Sequence, residues 1–137
     1  MTAPLTVPEA LIHAMVTTSA ADHRMTAAEF AKIRALVGQL PAFESFSGDV
    51  MAVAEACVAT IETPRGLDAV LDALDASLTP ALKETAYALA VDVAAADVHV
   101  KQEELVFLQM MEDRFGLDKL IVAAIERSAR IRFRKAG

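Results

Sequence analysis

Apolar residues recur every three or four positions along most of the chain, which is the spacing of one face of an α-helix. The first such stripe is formed by Leu11, Ile12, Met15 and Val16, and comparable stripes follow as far as Ile125. No credible strand segment appears along the chain. The pattern therefore predicts an all-α fold, a single compact bundle of about seven helices.

Capping residues mark where several of these helices begin and end. Thr26 and Glu29 match the capping box, in which each side chain binds the backbone amide of the other residue, and Pro41 ends the helix that follows. Thr63-Pro64 and Thr79-Pro80 each place a Thr at the N-cap and a Pro at the first helical position. We expect the fourth helix to begin at the first of these pairs and the fifth helix at the second.

The fifth helix, from Pro80 towards Asp97, is apolar on nearly all sides and is expected to lie at the centre of the bundle. Asp92 is the exception within it. Since a carboxylate buried without a partner is costly, Asp92 either pairs with an Arg or Lys near a helix end or marks the exposed edge of the helix. Gly116 then ends the sixth helix as a C-cap.

The chain repeats one motif, A-A-D-x-x-φ-x-x-x-E-φ with φ apolar, at residues 20–30 and again at residues 95–105. In each copy an alanine-rich helix stops at an Asp, and a Glu lies early in the next helix. The repeat predicts two similar helix hairpins, each with two carboxylates at its bend. Since a bend alone does not require matched acids in both copies, four residues are candidates for one shared site: Asp22, Glu29, Asp97 and Glu104.

Two interpretations of these acids are open. In the structural one, each Asp binds the backbone of its own turn and Glu29 serves its capping box. In the functional one, the two bends come together and their oxygens bind a hard divalent cation such as Ca²⁺. The spacing does not match an EF-hand loop, and neither an H-E-x-x-H motif nor a pair of E-x-x-H motifs is present.

Other residues that could carry chemistry have simpler explanations. His23 and His99 follow the two motif Asp residues at different offsets and are expected to be surface loop residues. Cys57 has no motif around it and is expected in the core. Without a Gly-rich phosphate loop or a Ser-centred nucleophile motif, we expect no enzymatic activity. The alternative is an enzyme in which Asp97 or Glu104 acts as an acid or base.

Charge is divided unevenly along the chain. The 137 residues carry a net charge of −6, and five of the 13 basic residues lie between Arg127 and Lys135. Residues 1–126 therefore carry 8 basic residues against 19 acidic ones, a net charge of −11, which disfavours binding to nucleic acid. The basic C-terminal segment is expected to be a solvated helix end, with an acidic protein patch or an anionic membrane surface as alternative contacts.

Composition indicates the compartment. The single cysteine fits a reducing cytoplasm, and the N-terminus lacks the pattern of a signal peptide. The longest apolar run, residues 86–96, is interrupted by Asp92 and is too short to cross a bilayer. We therefore expect a soluble cytoplasmic protein.

The segment Ala94–Leu105, followed by Phe115-Gly116-Leu117, resembles the tellurite-resistance TerB-like family, and the likeness covers most of the chain. The family motif runs A-D-G, then a polar pair and Glu, with a later L-G-L segment. By position its Asp falls on Asp22 and Asp97, and its Glu on Glu29 and Glu104. The family's Gly is replaced in the two copies by His23 and Val98.

The resemblance implies an all-helical domain with internal pseudo-symmetry, acidic residues linked to metal binding, and a role in tellurite and general stress resistance. Members look like interaction or sensing modules. Our main hypothesis is therefore one TerB-like domain over residues 1–137 that binds a divalent cation or a protein partner through its acidic bends. The alternative is a helical assembly or adaptor module that uses an apolar groove and the basic C-terminal segment.

Overall fold

A computed structural model describes residues 5–21, 25–96 and 102–136. The described residues form seven α-helices without any strand, which confirms the predicted all-α bundle. The helices are α1 (Val7–Ala20), α2 (Ala27–Gln39), α3 (Val50–Ile61), α4 (Gly66–Ser77), α5 (Pro80–Ala95), α6 (Gln102–Phe115) and α7 (Lys119–Arg132). A short 3-10 helix, Pro41–Phe43, follows α2.

Most helix starts follow their capping residues. The amide of Glu29 donates to Thr26 Oγ1 at 3.1 Å, and the amide of Thr26 donates to Glu29 Oε1 at 3.0 Å, which confirms the predicted capping box. Thr79 caps α5 as predicted. An equivalent box between Thr6 and Glu9 starts α1. This box was not predicted, although its T-x-x-E pattern is present in the sequence.

The predicted start of α4 at Thr63-Pro64 is wrong. The helix begins at Gly66, after Arg65 in a left-handed conformation with φ of 64°. The Thr63 hydroxyl donates to the carbonyl of Thr60 at 2.6 Å, so it closes the end of α3 instead of capping α4. Gly66 lies so close to α3 that a Cβ at this position would be 2.0 Å from the carbonyl oxygen of Ile61.

The most enclosed helix of the bundle is α1, and α5, the helix predicted to be central, packs along it. α1 packs on α2, α3, α4, α5 and α6, and side chains on all of its faces are buried. The buried set includes polar residues: His13, Thr17, Thr18 and Ser19. α5 lies along one side of α1 and also contacts α2, α6 and α7.

The buried polar groups of α1 are satisfied mainly by its own backbone. The hydroxyls of Thr18 and Ser19 donate to carbonyls one turn earlier, at 2.8 and 3.1 Å. His13 Nδ1 donates to the carbonyl of Glu9 at 2.9 Å. Thr17 Oγ1 instead lies 3.2 Å from Cys57 Sγ on α3. These local bonds allow a helix with several polar side chains to lie in the middle of the core.

The two hairpins predicted from the repeat are α1–α2 and α5–α6. The first helices of the hairpins pack on each other, α1 also contacts α6, and α5 also contacts α2. The first helix of each hairpin thus contacts the second helix of the other, as expected if an approximate two-fold axis relates the two hairpins. The bend residues Asp22, His23, Asp97 and His99 lie outside the described residues.

Asp92 on α5 is paired, which decides between its two predicted explanations. Arg132 Nη2 donates to Asp92 Oδ1 at 2.7 Å, and the Asp92 side chain is only 15% exposed. Arg132 belongs to the last turn of α7, so the basic segment is not only a solvated end: its first half is helical and helps to fix α7 on α5. None of the helices in the described part of the chain combines the length and hydrophobicity that a membrane span requires.

The close approach of α3 and α4 predicts opposite effects of the same substitution at two glycines. Gly66→Ala should lower the free energy of unfolding by about 1 to 3 kcal/mol, because the new methyl group would push two backbones apart. Gly38→Ala, in α2, meets no atom within 4 Å and should raise it by about 0.5 to 1 kcal/mol through helix propensity. Urea unfolding of both variants measures the difference, and equal effects would contradict the close packing.

The buried His13 predicts a pH-dependent loss of stability. Burial lowers the pKa of His13 below its usual value of 6.5, against the opposing effects of the Glu9 carbonyl and carboxylate. The unfolded chain therefore binds a proton at a higher pH than the folded chain does, and stability falls as the pH drops below about 6.5. His13→Gln should make the free energy of unfolding fall less between about pH 7.5 and about pH 5.5. An unchanged pH dependence would exclude His13 as its source.

Candidate functional site at the paired bends

Two of the four predicted site residues lie in the described structure, at matching positions. Glu29 is in the first turn of α2 and Glu104 is in the first turn of α6. Both side chains are fully buried, with an exposed fraction of 0%. The other two members of the predicted set, Asp22 and Asp97, lie outside the described residues. The structure therefore places the two Glu residues at equivalent positions of the two hairpins.

Glu29 is more deeply buried than the Glu of the other capping box. Its Oε1 accepts the Thr26 amide and completes the capping box. Its Oε2 is also buried, and it has no hydrogen-bond partner among the described residues. Glu9 forms the same box at the start of α1, yet its side chain is only half-buried. Because capping is achieved at Glu9 without full burial, capping alone does not explain why the second oxygen of Glu29 is enclosed.

Glu104 follows an exposed Glu103 at the start of α6. Both carboxylates lie near the positive N-terminal end of the helix, where negative charge is favourable. Only Glu104 is enclosed, as Glu29 is in the other hairpin. The repeat therefore preserves burial of the Glu even though the Thr of the capping box is replaced by Lys101 in the second copy.

The chemistry of such a site is limited by the cost of burying charge. An ionised carboxylate oxygen removed from water is unfavourable unless a cation or a hydrogen-bond donor lies beside it. Within the described residues, no group of three or more His, Cys, Asp or Glu side chains could hold a metal ion. A cation at the bends would therefore need ligands from Asp22 and Asp97 in addition to the two buried Glu residues.

Cys57 is a core residue, as predicted. It is fully buried on α3 beside Thr17. Burial raises the pKa of the Cys57 thiol to about 11, with a smaller opposing effect of the Thr17 hydroxyl. Since the thiolate is the form that attacks electrophiles and binds metals, we expect Cys57 to be unreactive at neutral pH.

A separate groove lies between α6 and α7, with α5 as its floor. Its volume is about 710 Å³. The adaptor hypothesis assigned no residues to its apolar groove, and it stays a prediction. Glu29 and Glu104 are not among the described residues that line it, which include one stripe from each helix: Tyr87 and Val91, Leu108 and Glu112, and Glu126 and Ala129.

The fold and the buried Glu pair together define a two-hairpin helical bundle with acidic bends. A family model described as "Tellurite resistance protein TerB" matches residues 8–127. The chain therefore belongs to the TerB family, as the resemblance in its doubled motif predicted. Comparisons with curated proteins and with solved structures gave no match.

The environment of Cys57 predicts slow reaction with thiol reagents. A rise in its pKa from 9.0 to about 11 lowers the thiolate fraction at neutral pH about a hundredfold. Labelling with Ellman's reagent should therefore be at least about a hundredfold slower in the folded protein than in urea. Glutathione under the same two conditions serves as the control for the effect of urea. Equal rates for folded and unfolded protein would show that Cys57 is accessible.

Proposed function

We propose that this TerB-family protein is a non-enzymatic binding module that takes up a divalent cation such as Ca²⁺ at its paired bends. Glu29 and Glu104 are the interior ligands, and Asp22 and Asp97 supply the remaining carboxylates. The observation that carries the proposal is the second oxygen of Glu29, which is buried without a hydrogen-bond partner among the described residues. A bound cation beside this oxygen offsets the cost of its burial.

The choice of a hard cation follows from the ligands. Four carboxylates offer only oxygen donors, which Ca²⁺ and similar ions prefer over nitrogen or sulfur donors. The thiol of Cys57 and the imidazole of His13 are buried and take part in other hydrogen bonds, so the proposed site uses neither of them. The net charge of −11 on residues 1–126 also favours cations near the protein.

Burial of the Glu residues favours a binding role over catalysis. A catalytic acid or base must reach the substrate, usually within hydrogen-bond distance. Glu29 and Glu104 have exposed fractions of 0%, and neither is among the described residues that line the groove on α5. Such buried carboxylates are better suited to binding an ion inside the fold than to acting on a substrate.

A cation in this position would link the two hairpins, since Glu29 begins α2 and Glu104 begins α6. Both helices contact the central pair α1 and α5. Cation binding would thereby fix the relative positions of α2 and α6, and a protein partner that contacts either helix would respond to it. In this proposal the module acts as a cation-dependent interaction element in tellurite or general stress resistance.

Calorimetric titration with Ca²⁺ tests the proposal. We expect saturable binding by the wild type and at least about tenfold weaker binding by Glu29→Gln, Asp22→Asn and Asp97→Asn, because each variant removes a charged ligand. Glu9→Gln is the matched control: it disturbs an equivalent capping box outside the bends and should leave Ca²⁺ affinity unchanged.

Two results would count against this proposal. If the wild type releases no heat beyond that of buffer, the bends do not bind Ca²⁺. If Glu29→Gln and Glu9→Gln both leave the affinity unchanged, Ca²⁺ binds elsewhere on the acidic surface and the buried Glu is only a helix cap.

A further inference from the structure

The groove on α5 has a defined direction. Tyr87 donates to Glu126 Oε2 at 2.7 Å, and Asp92 pairs with Arg132, so α7 runs parallel to α5. α6 runs the opposite way, because Lys83 at the start of α5 lies over the ring of Phe115 at the end of α6, 5.6 Å from its centroid. Both α6 and α7 pack on α5, but within the described residues no extensive contact between them closes the space above it.

Each of the three helices contributes one stripe to the groove. The lining positions are 87, 91, 94 and 95 on α5, 105, 108, 109 and 112 on α6, and 126, 129 and 130 on α7, with position 133 directly after that helix. In every case the spacing is that of one helix face. The middle of the groove is apolar, with Val91, Ala94, Leu108 and Ala129. A stripe of this extent covers about 10 Å along a helix, at about 1.5 Å per residue.

The two ends of the groove carry opposite charge. Glu112 of α6 and Glu126 of α7 both line the groove near Tyr87, whereas Arg130 and Lys135 line it towards the end of α7. Both carboxylates influence Tyr87: burial, then Glu126 and then Glu112 raise the pKa of its hydroxyl. Neither carboxylate forms an ion pair within the described residues.

We propose that this groove binds a small amphipathic amine, with its ammonium group between Glu112 and Glu126 and its apolar body along α5. The cavity volume of about 710 Å³ lies in the range of small-molecule sites, which are mostly apolar with a few polar groups that fix the orientation. Glu126 uses Oε2 for Tyr87 and keeps Oε1 available for an ammonium donor. This ligand is distinct from the inorganic cation proposed for the bends.

The acidic and basic residues of the groove differ in burial, and this difference makes an amine, rather than an organic acid, the preferred ligand. Glu112 and Glu126 are half-buried, whereas Arg130 and Lys135 are exposed. Charges near the protein interior act through a lower effective dielectric constant, while exposed charges are screened by water and salt. The acidic end therefore attracts a charged group more strongly than the basic end does, and the basic residues repel an ammonium group that enters in the reverse orientation.

Titration with n-octylammonium, followed by amide chemical shifts, tests the proposal on the full chain. We expect saturable binding that moves the signals of Tyr87 and Ala129, and at least about tenfold weaker binding of octanoate, which has a chain of comparable length and the opposite charge. Glu126→Gln should weaken octylammonium binding about tenfold, because the Gln side-chain oxygen can still accept the Tyr87 hydrogen bond but carries no negative charge. Glu55→Gln, at an exposed position of α3, makes the same charge change away from the groove and should leave the affinity unchanged.

Four outcomes would overturn the proposal: no saturable shifts at Tyr87 or Ala129 up to millimolar octylammonium, equal or tighter binding of octanoate, unchanged affinity in Glu126→Gln, and displacement of octylammonium by Ca²⁺ at equimolar concentration. Helical circular dichroism of each variant confirms folding, and Glu112→Gln, which removes the other charge without touching the Tyr87 bond, provides a second variant if Glu126→Gln unfolds. Because Ca²⁺ binding at the bends is measured separately with Glu29→Gln, failure of either proposal leaves the other intact.

Discussion

The rest of the structure depends on the enclosure of α1. A helix that contacts other helices on all sides has no face to turn to water, so each of its polar side chains needs a partner inside the bundle. α1 meets this condition largely with its own carbonyls, to which His13, Thr18 and Ser19 donate. Thr17 meets it through Cys57 on α3. Because these bonds are local, the helices that surround α1 need to supply few polar partners, and α2 to α6 can all pack against it.

The short range of such hydrogen bonds explains which parts of the fold could be predicted from the sequence and which could not. Helix ends were predictable because caps act within a few residues, as the Thr26 box and the Thr79 cap confirm. At Thr63-Pro64 the rule failed because the Thr hydroxyl reaches the carbonyl of Thr60 behind it. The central position of α1 was not predictable from its hydrophobic pattern, because its second half contains three hydroxyl side chains that resemble a solvated face. Only the local hydrogen bonds make that segment compatible with burial.

The candidate sites show the same division between local and tertiary information. The repeat identified Glu29 and Glu104 as a matched pair, and the structure places them in equivalent first turns. Their burial could not be predicted, because the boxes Thr6–Glu9 and Thr26–Glu29 look alike in sequence, yet only the second Glu is fully enclosed. The groove was not predictable either. Its three stripes are evident one helix at a time, but their facing arrangement depends on the direction of α7, which is fixed by contacts between residues 39 and 40 positions apart.

The groove also shows where the internal symmetry of the protein ends. The hairpins α1–α2 and α5–α6 are related, and their first helices pack on each other. In the first hairpin, α3 and α4 both pack on α1, and Gly66 lets α3 and α4 approach each other closely. On the second hairpin, α7 packs on α5 and leaves the groove beside it, and polar pairs at Tyr87 and Asp92 link the two helices. A duplicated framework with unequal cover leaves one first helix inside the core and the other as the floor of a groove. The two proposed sites therefore depend on different features of the fold. The site at the bends depends on the Glu position that both hairpins share, whereas the groove depends on α7, which packs on the second hairpin.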